Sequence, residues 1–145
     1  MNEFPHDRLD VYRAAVEFLV VVEDIVPTLP RGRAYLADQL RRASTSICLN
    51  IAEGSGEFAA ADKARFYRFA RRSSTECAAI LDAFRIAGGD GGAGLARGKE
   101  LLFRIASMLS AMVIRLGPAT DTDTDRGHER AGHGHGHGHG HGSEG

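Results

Sequence analysis

Cysteine is scarce in this chain of 145 residues, which contains only Cys48 and Cys77. Each stands alone within a helical pattern, and neither belongs to the Cys-x-x-Cys spacing that zinc sites and redox pairs require. The cysteines therefore give no zinc or redox motif. We expect both thiols to be buried or half-buried in a reducing cytoplasm.

Long hydrophobic runs are also absent. The most apolar stretch, residues 14–26, contains Glu17, Glu23 and Asp24, and it is shorter than the roughly 20 apolar residues that a membrane-spanning helix needs. The first five residues lack the basic and apolar regions of a secretory signal. These absences predict a cytoplasmic protein with no membrane segment.

The groups that enzymes use are scarce as well. His6 is the only histidine before the C-terminal tail, so the helical body lacks the commonest general base. Residues 54–59 match a loose dinucleotide fingerprint, but they follow a predicted helix rather than a strand. Gly98-Lys99 is followed by Glu100 instead of the Ser or Thr of a phosphate loop. We therefore expect no enzymatic activity and no required cofactor.

Helical periodicity dominates what remains. Apolar residues recur at helical spacing in four segments, residues 7–26, 33–53, 60–87 and 95–116, which are separated by proline-rich or glycine-rich breaks. Similar lengths and short connections predict one domain over residues 1–117, an all-α antiparallel up-down-up-down four-helix bundle. Residues 118–145 alternate Asp with Thr and then Gly with His, and we expect them to form a disordered tail.

The width of the apolar face differs among the four segments. In residues 60–87 this face covers about a third of the circumference, includes Phe66 and Phe69, and is typical of one buried side. In residues 7–26 and 95–116 apolar side chains cover more than half of the circumference. One monomeric core cannot bury both helices, so we expect a homo-oligomer.

The second helix carries an uncharged polar row beside its apolar face. Gln39, Ser46, Asn50 and Glu53 lie about a quarter turn from the apolar side chains. A catalytic role would need a nucleophile and an acid with a tuned pKa, and no histidine accompanies this row. Buried amides and hydroxyls fix helix geometry when their donors are satisfied. We therefore interpret the row as a structural polar stripe.

Arginine supplies 16 of the 18 basic residues, a preference that a high-GC coding bias also produces. Three arginines of the third helix fall within about 60° of one another, and guanidinium forks suit bidentate contacts with phosphates. The candidate nucleic-acid-binding residues are Arg41, Arg42, Arg65, Arg68, Arg71 and Arg72. The alternatives are a solvated face, or ion pairs with acidic side chains within or between subunits.

Histidines alternate with glycine in the tail. The candidate metal ligands are His133, His135, His137, His139 and His141. Flexible backbone can bring several imidazoles to one Zn²⁺, Ni²⁺ or Cu²⁺ ion, and binding weakens below the ordinary histidine pKa of about 6.5. A low-complexity expansion or an added purification segment would give the same pattern.

Three segments closely resemble a bacterial family known as four-helix bundle proteins. They are Leu-Asp-Val-Tyr at residues 9–12, the block at 39–54, and the arginine-rich stretch at 65–76, within a resemblance that covers residues 7–116. The family includes proteins encoded by intervening sequences in large-subunit ribosomal RNA genes, and retroelement accessory variability proteins are relatives. The resemblance implies a ring-like pentamer. Relatives that serve retroelements are thought to hold nucleic acid and a reverse transcriptase.

Two functional hypotheses follow from these patterns. The first is a non-enzymatic oligomeric scaffold or adaptor that binds nucleic acid or a ribonucleoprotein partner through its arginines. The second is a protein-interaction scaffold whose histidine tail binds Zn, Ni or Cu. Salt-dependent binding of RNA or DNA separates the two.

Overall fold

The computed structural model of the chain describes residues 2–89 and 93–118. Its four α-helices are α1 (Asp10–Ile25), α2 (Ala34–Gly56), α3 (Ala60–Ile86) and α4 (Ala93–Leu116), and short 3-10 segments at Pro5–Arg8 and Val26–Thr28 flank α1. No strand occurs in these described ranges. The structure confirms the all-α four-helix prediction. Residues 119–145 lie outside the described residues, and the disorder expected there stays a prediction.

The first helix begins later than its apolar pattern predicts. Residues 5–8 form a 3-10 turn that starts with Pro5, and Leu9 is extended before α1 begins at Asp10. The backbone N–H of Phe4 donates to Asp7 Oδ2 at 2.9 Å. This side-chain acceptor closes a tight turn in place of the first helical turn, so α1 starts after it.

The second helix ends later than predicted. We expected it to stop at residue 53 with glycine as a terminator, but α2 continues to Gly56 and buries Gly54 in its last turns. A Cβ on Gly54 would lie 2.7 Å from Cε1 of Tyr67 and 3.2 Å from Cβ of Phe66. The glycine therefore permits the close approach of α3. Gly88 and Gly117 do play the predicted terminating role, with positive φ values of 91° and 89° after α3 and α4.

Each helix packs against the next in the chain, and α4 closes against α1. Ile25 lies against Gly94 and Phe18 against Gly98, so the chain numbers fall on α1 as they rise on α4. Gly54 with Tyr67 and Ser46 with Ser73 give the same opposed order for α2 and α3. This is the register of antiparallel neighbours.

Three exposed ion pairs join neighbouring helices at the surface. Arg41 pairs with Glu23 between α2 and α1, Arg97 with Glu17 between α4 and α1, and Lys99 with Asp82 between α4 and α3. Each is open to solvent, so its contribution to stability is small. The α2–α3 pair has no such bridge among the described residues, and hydroxyl groups connect it instead.

The core face of α3 differs from the prediction at its phenylalanines. Phe69 was expected in the core but is 38% exposed, and Phe66 is only partly buried, whereas Tyr67 is 5% exposed. Helical spacing allows either set of rings to face inward. Gly54 decides between them because its missing side chain leaves room for the Tyr67 ring.

Both cysteines are buried and unpaired, as expected. Burial is the main cause that raises the pKa of the Cys48 thiol to about 11 and that of Cys77 to about 12. Both thiols are therefore protonated at neutral pH and act as small apolar side chains. None of the described helices is long and apolar enough to cross a membrane.

The glycine contact gives a direct stability test. Gly54→Ala should lower the free energy of unfolding by about 1–3 kcal/mol, because the new methyl group overlaps the buried Tyr67 ring. Gly56→Ala is the matched control, since a Cβ there has nothing within 4 Å. Urea denaturation measures both variants. Equal midpoints for the two would contradict the close approach.

Candidate nucleic-acid interface

Two residues of the predicted polar stripe, Ser46 and Asn50, belong to a hydrogen-bond network that reaches Ser73 of α3. The Ser46 and Ser73 hydroxyl oxygens are 2.9 Å apart, and the Asn50 amide donates to the Ser46 carbonyl at 2.9 Å and to the Ser46 hydroxyl at 3.0 Å. Gln39 and Glu53 are exposed. The bonded part of the stripe therefore links two helices, and its polar groups are used within the protein.

Sequence reasoning missed the partner of this network. Ser73 lies on α3 outside the predicted polar row, and its hydroxyl meets Ser46 across the helix pair. Ser44 and Ser74 are also buried, and each donates to a carbonyl of its own helix, Arg41 O at 3.1 Å and Ala70 O at 2.9 Å. Small hydroxyls at apolar positions were the available signal. Their pairing needs the register between helices, which one sequence does not contain.

Two arginines of α3 lie beside phenylalanine rings of the same helix. The Arg65 guanidinium carbon lies 5.0 Å from the centroid of the Phe66 ring, and that of Arg72 lies 5.9 Å from the Phe69 ring. The two rings meet edge to face with centroids 6.3 Å apart. Arg68 is exposed one turn from both other arginines. We name these five residues the Arg–Phe surface.

Asp62 and Glu76 lie one turn beyond Arg65 and Arg72 on α3, but neither forms an ion pair with the arginines of this surface. No carboxylate within residues 2–89 and 93–118 pairs with Arg65, Arg68 or Arg72. Arg65 is half-buried, and its Nε is buried without a hydrogen-bond partner in the described part of the chain. Buried donors of a cation are normally satisfied. This Nε is closed to solvent, so it does not itself offer a contact to an anion from outside the subunit.

The six predicted arginines do not form one patch. Arg41 donates through Nε to Glu23 Oε1 at 3.2 Å, which places it at the α1 side of α2, away from α3. Arg42 is exposed one turn before Ser46. Arg71 is also exposed, but it lies about 100° around α3 from Arg72. Of the six, Arg65, Arg68 and Arg72 lie within about 60° of one another on α3, and we take these three as the candidate site.

Two glutamates near the C-terminal end of α2 form part of a separate pocket. Glu53 lines an open pocket of about 360 Å³ at the end of the bundle, together with Phe4, His6, Glu57 and Phe58. No cluster of three His, Cys, Asp or Glu side chains suited to a metal ion occurs in the described part of the chain. The five candidate histidines of the tail, residues 133–141, lie outside the described residues.

Comparison with known families identifies the helical body. The profile of the family described as 23S rRNA-intervening sequence protein matches residues 7–111. The chain belongs to this family. The match spans α1, α2, α3 and most of α4, and it includes the whole Arg–Phe surface. The family description names a ribosomal RNA sequence and no reaction. No curated protein matches the chain in a sequence search.

The hydroxyl and amide network should act in stability. Asn50→Ala removes both amide hydrogen bonds to Ser46, and we expect a loss of about 1–3 kcal/mol in the free energy of unfolding. Gln39→Ala, at an exposed position of the same row, should change it little. Urea denaturation compares them. An Asn50 variant with unchanged stability and altered ligand binding would contradict the structural role.

Proposed function

We propose that this member of the family is a non-enzymatic oligomeric scaffold or adaptor that binds nucleic acid, or a ribonucleoprotein partner, through Arg65, Arg68 and Arg72. The observation that carries the proposal is the absence of an acidic partner for these side chains among the described residues. The family description refers to a 23S ribosomal RNA intervening sequence and names no ligand, so the proposal covers both RNA and DNA.

Phosphate fits this surface chemically. A phosphate oxygen accepts charge-assisted hydrogen bonds from guanidinium groups, and such bonds are stronger than those between neutral groups. Contacts to the phosphate backbone fix position without reading the bases. Binding by these arginines should therefore depend weakly on sequence and strongly on salt, because neutralised phosphates release counterions.

We also propose that the protein is a homo-oligomer, and the resemblance favours a pentamer. Apolar side chains remain outside the core on two adjacent helices, with Val20 60% exposed on α1 and Phe103 77% exposed on α4. Val16 and Ile114 are exposed on the same helices. Contiguous apolar exposure marks interaction surfaces. Association through α1 and α4 would repeat the Arg–Phe surface once in every subunit.

Replacing the three arginines tests the nucleic-acid proposal. Affinity of the unmodified protein for RNA should fall steeply between about 50 and 200 mM salt. A variant with Arg65→Gln, Arg68→Gln and Arg72→Gln should bind more weakly and reduce the slope of log affinity against log salt by about 2 to 3. The charge-matched control changes the exposed Arg31, Arg33 and Arg115 to Gln. Fluorescence anisotropy reports the affinities.

Two results would contradict this proposal. The first is no nucleic-acid binding by the unmodified protein at low salt. The second is dissociation of the oligomer by the three α3 substitutions, because these arginines would then hold subunits together through acidic partners. Native mass measurement of each variant detects the second result.

Single charges on the exposed apolar positions test the oligomer. Val20→Asp or Phe103→Asp should give folded subunits of lower assembly mass, because a charge in a packed interface is unfavourable. Val22→Asp is the contrasting control, since Val22 is 1% exposed and a charge there should unfold the subunit. Light scattering and circular dichroism measure mass and folding. A monodisperse monomer of the unmodified chain at micromolar concentration would disprove the assembly.

A further inference from the structure

Phe69 is an aromatic side chain that the core does not use. The residue is 38% exposed, and its position in the chain lies between Arg68 and Arg72 of the same helix face. The Phe66 ring supports it edge to face. An exposed aromatic ring flanked by unpaired arginines combines the two groups with which proteins hold unpaired nucleotides, a stacking surface and phosphate contacts.

The Arg72 contact leaves the ring available to a ligand. The guanidinium carbon is 5.9 Å from the Phe69 centroid, at the outer limit of a cation–π contact, and Arg72 is itself exposed. Arg72 can therefore move to a phosphate while a base takes its place over the ring. Arg65 and Arg72 are about 10 Å apart along the helix axis. A base stacked on Phe69 would therefore place one neighbouring phosphate toward Arg65 and the other toward Arg72.

A second exposed phenylalanine gives a useful contrast. Phe58 is fully exposed, but it lines the pocket that also contains Glu53 and Glu57. These carboxylates repel phosphates. Both Phe58 and Phe69 are exposed, but of the two only Phe69 has arginines without an ion-pair partner beside it.

We infer that the Arg–Phe surface binds single-stranded nucleic acid, with one base stacked on Phe69 and the adjoining phosphates held by Arg65 and Arg72. The inference rests on the proposed function and adds the strandedness of the ligand. Base pairs in a duplex stack on one another and leave no base face free for a side chain, whereas single strands expose theirs. The base and the phosphate are common to RNA and DNA.

The test uses Phe69→Leu in the full chain, with Phe58→Leu as the matched control. Anisotropy at low salt gives the affinities for a single-stranded ribonucleotide oligomer, the corresponding deoxyribonucleotide oligomer, and a duplex of the same length. Phe69→Leu should weaken binding of both single strands about 10-fold, the effect of one lost stacking contact. Its affinity for the duplex should be unchanged. Phe58→Leu should alter none of the three.

The outcomes separate this inference from the proposed function. If the three-arginine variant loses binding but Phe69→Leu does not, the stacking inference is wrong and the phosphate proposal stands. If Phe69→Leu changes the mass of the assembly, Phe69 is a subunit contact and the inference is wrong. Binding of RNA alone would also contradict it, because the inferred contacts do not involve the 2′-hydroxyl. Failure of the unmodified chain to bind any strand removes both proposals.

Discussion

The arrangement of this bundle depends on the close approach of α2 and α3 at Gly54 and Tyr67. Because Gly54 has no side chain, the Tyr67 ring can occupy space that a Cβ would fill at 2.7 Å. Burying Tyr67 fixes the rotation of α3 about its axis. Phe69 lies about 200° further around the helix, and the same rotation turns the arginines on that side outward. A single glycine on α2 thereby determines what α3 presents at its surface.

Polar groups in the α2–α3 interface and polar groups outside it have different roles. The hydroxyl and amide groups of Ser46, Asn50 and Ser73 satisfy one another within the protein. Outside, the exposed ion pairs between helices engage α1 with α2, α1 with α4, and α3 with α4. None of those described pairs uses an arginine of the Arg–Phe surface. The hydroxyl and amide groups therefore stabilise the fold. The ion pairs between helices do not engage Arg65, Arg68 or Arg72, whose positive charge stays available to an external partner.

The sequence was sufficient for the four helices because each has a strong helical period, and proline or glycine interrupts that period after α1 and α3. It was insufficient where the choice depends on a neighbouring helix. Helical spacing fits Tyr67 or Phe69 in the core equally well, and only the space at Gly54 decides between them. The Ser46–Ser73 contact and the Arg41–Glu23 pair likewise depend on register. The arginines of the candidate site can thus be named from the sequence, whereas the engagement of Arg41 by Glu23 cannot.

The absence of tryptophan from the chain permits a direct measurement of the central claim, that the outward side of α3 contacts nucleic acid. Phe69→Trp would introduce the only indole, beside Arg68 and Arg72, and Phe58→Trp would introduce one beside Glu57. Titration with a single-stranded oligonucleotide should quench the fluorescence at position 69, because a base stacks on the indole, and should leave position 58 unchanged. Binding that quenches neither position, or only position 58, would contradict the account.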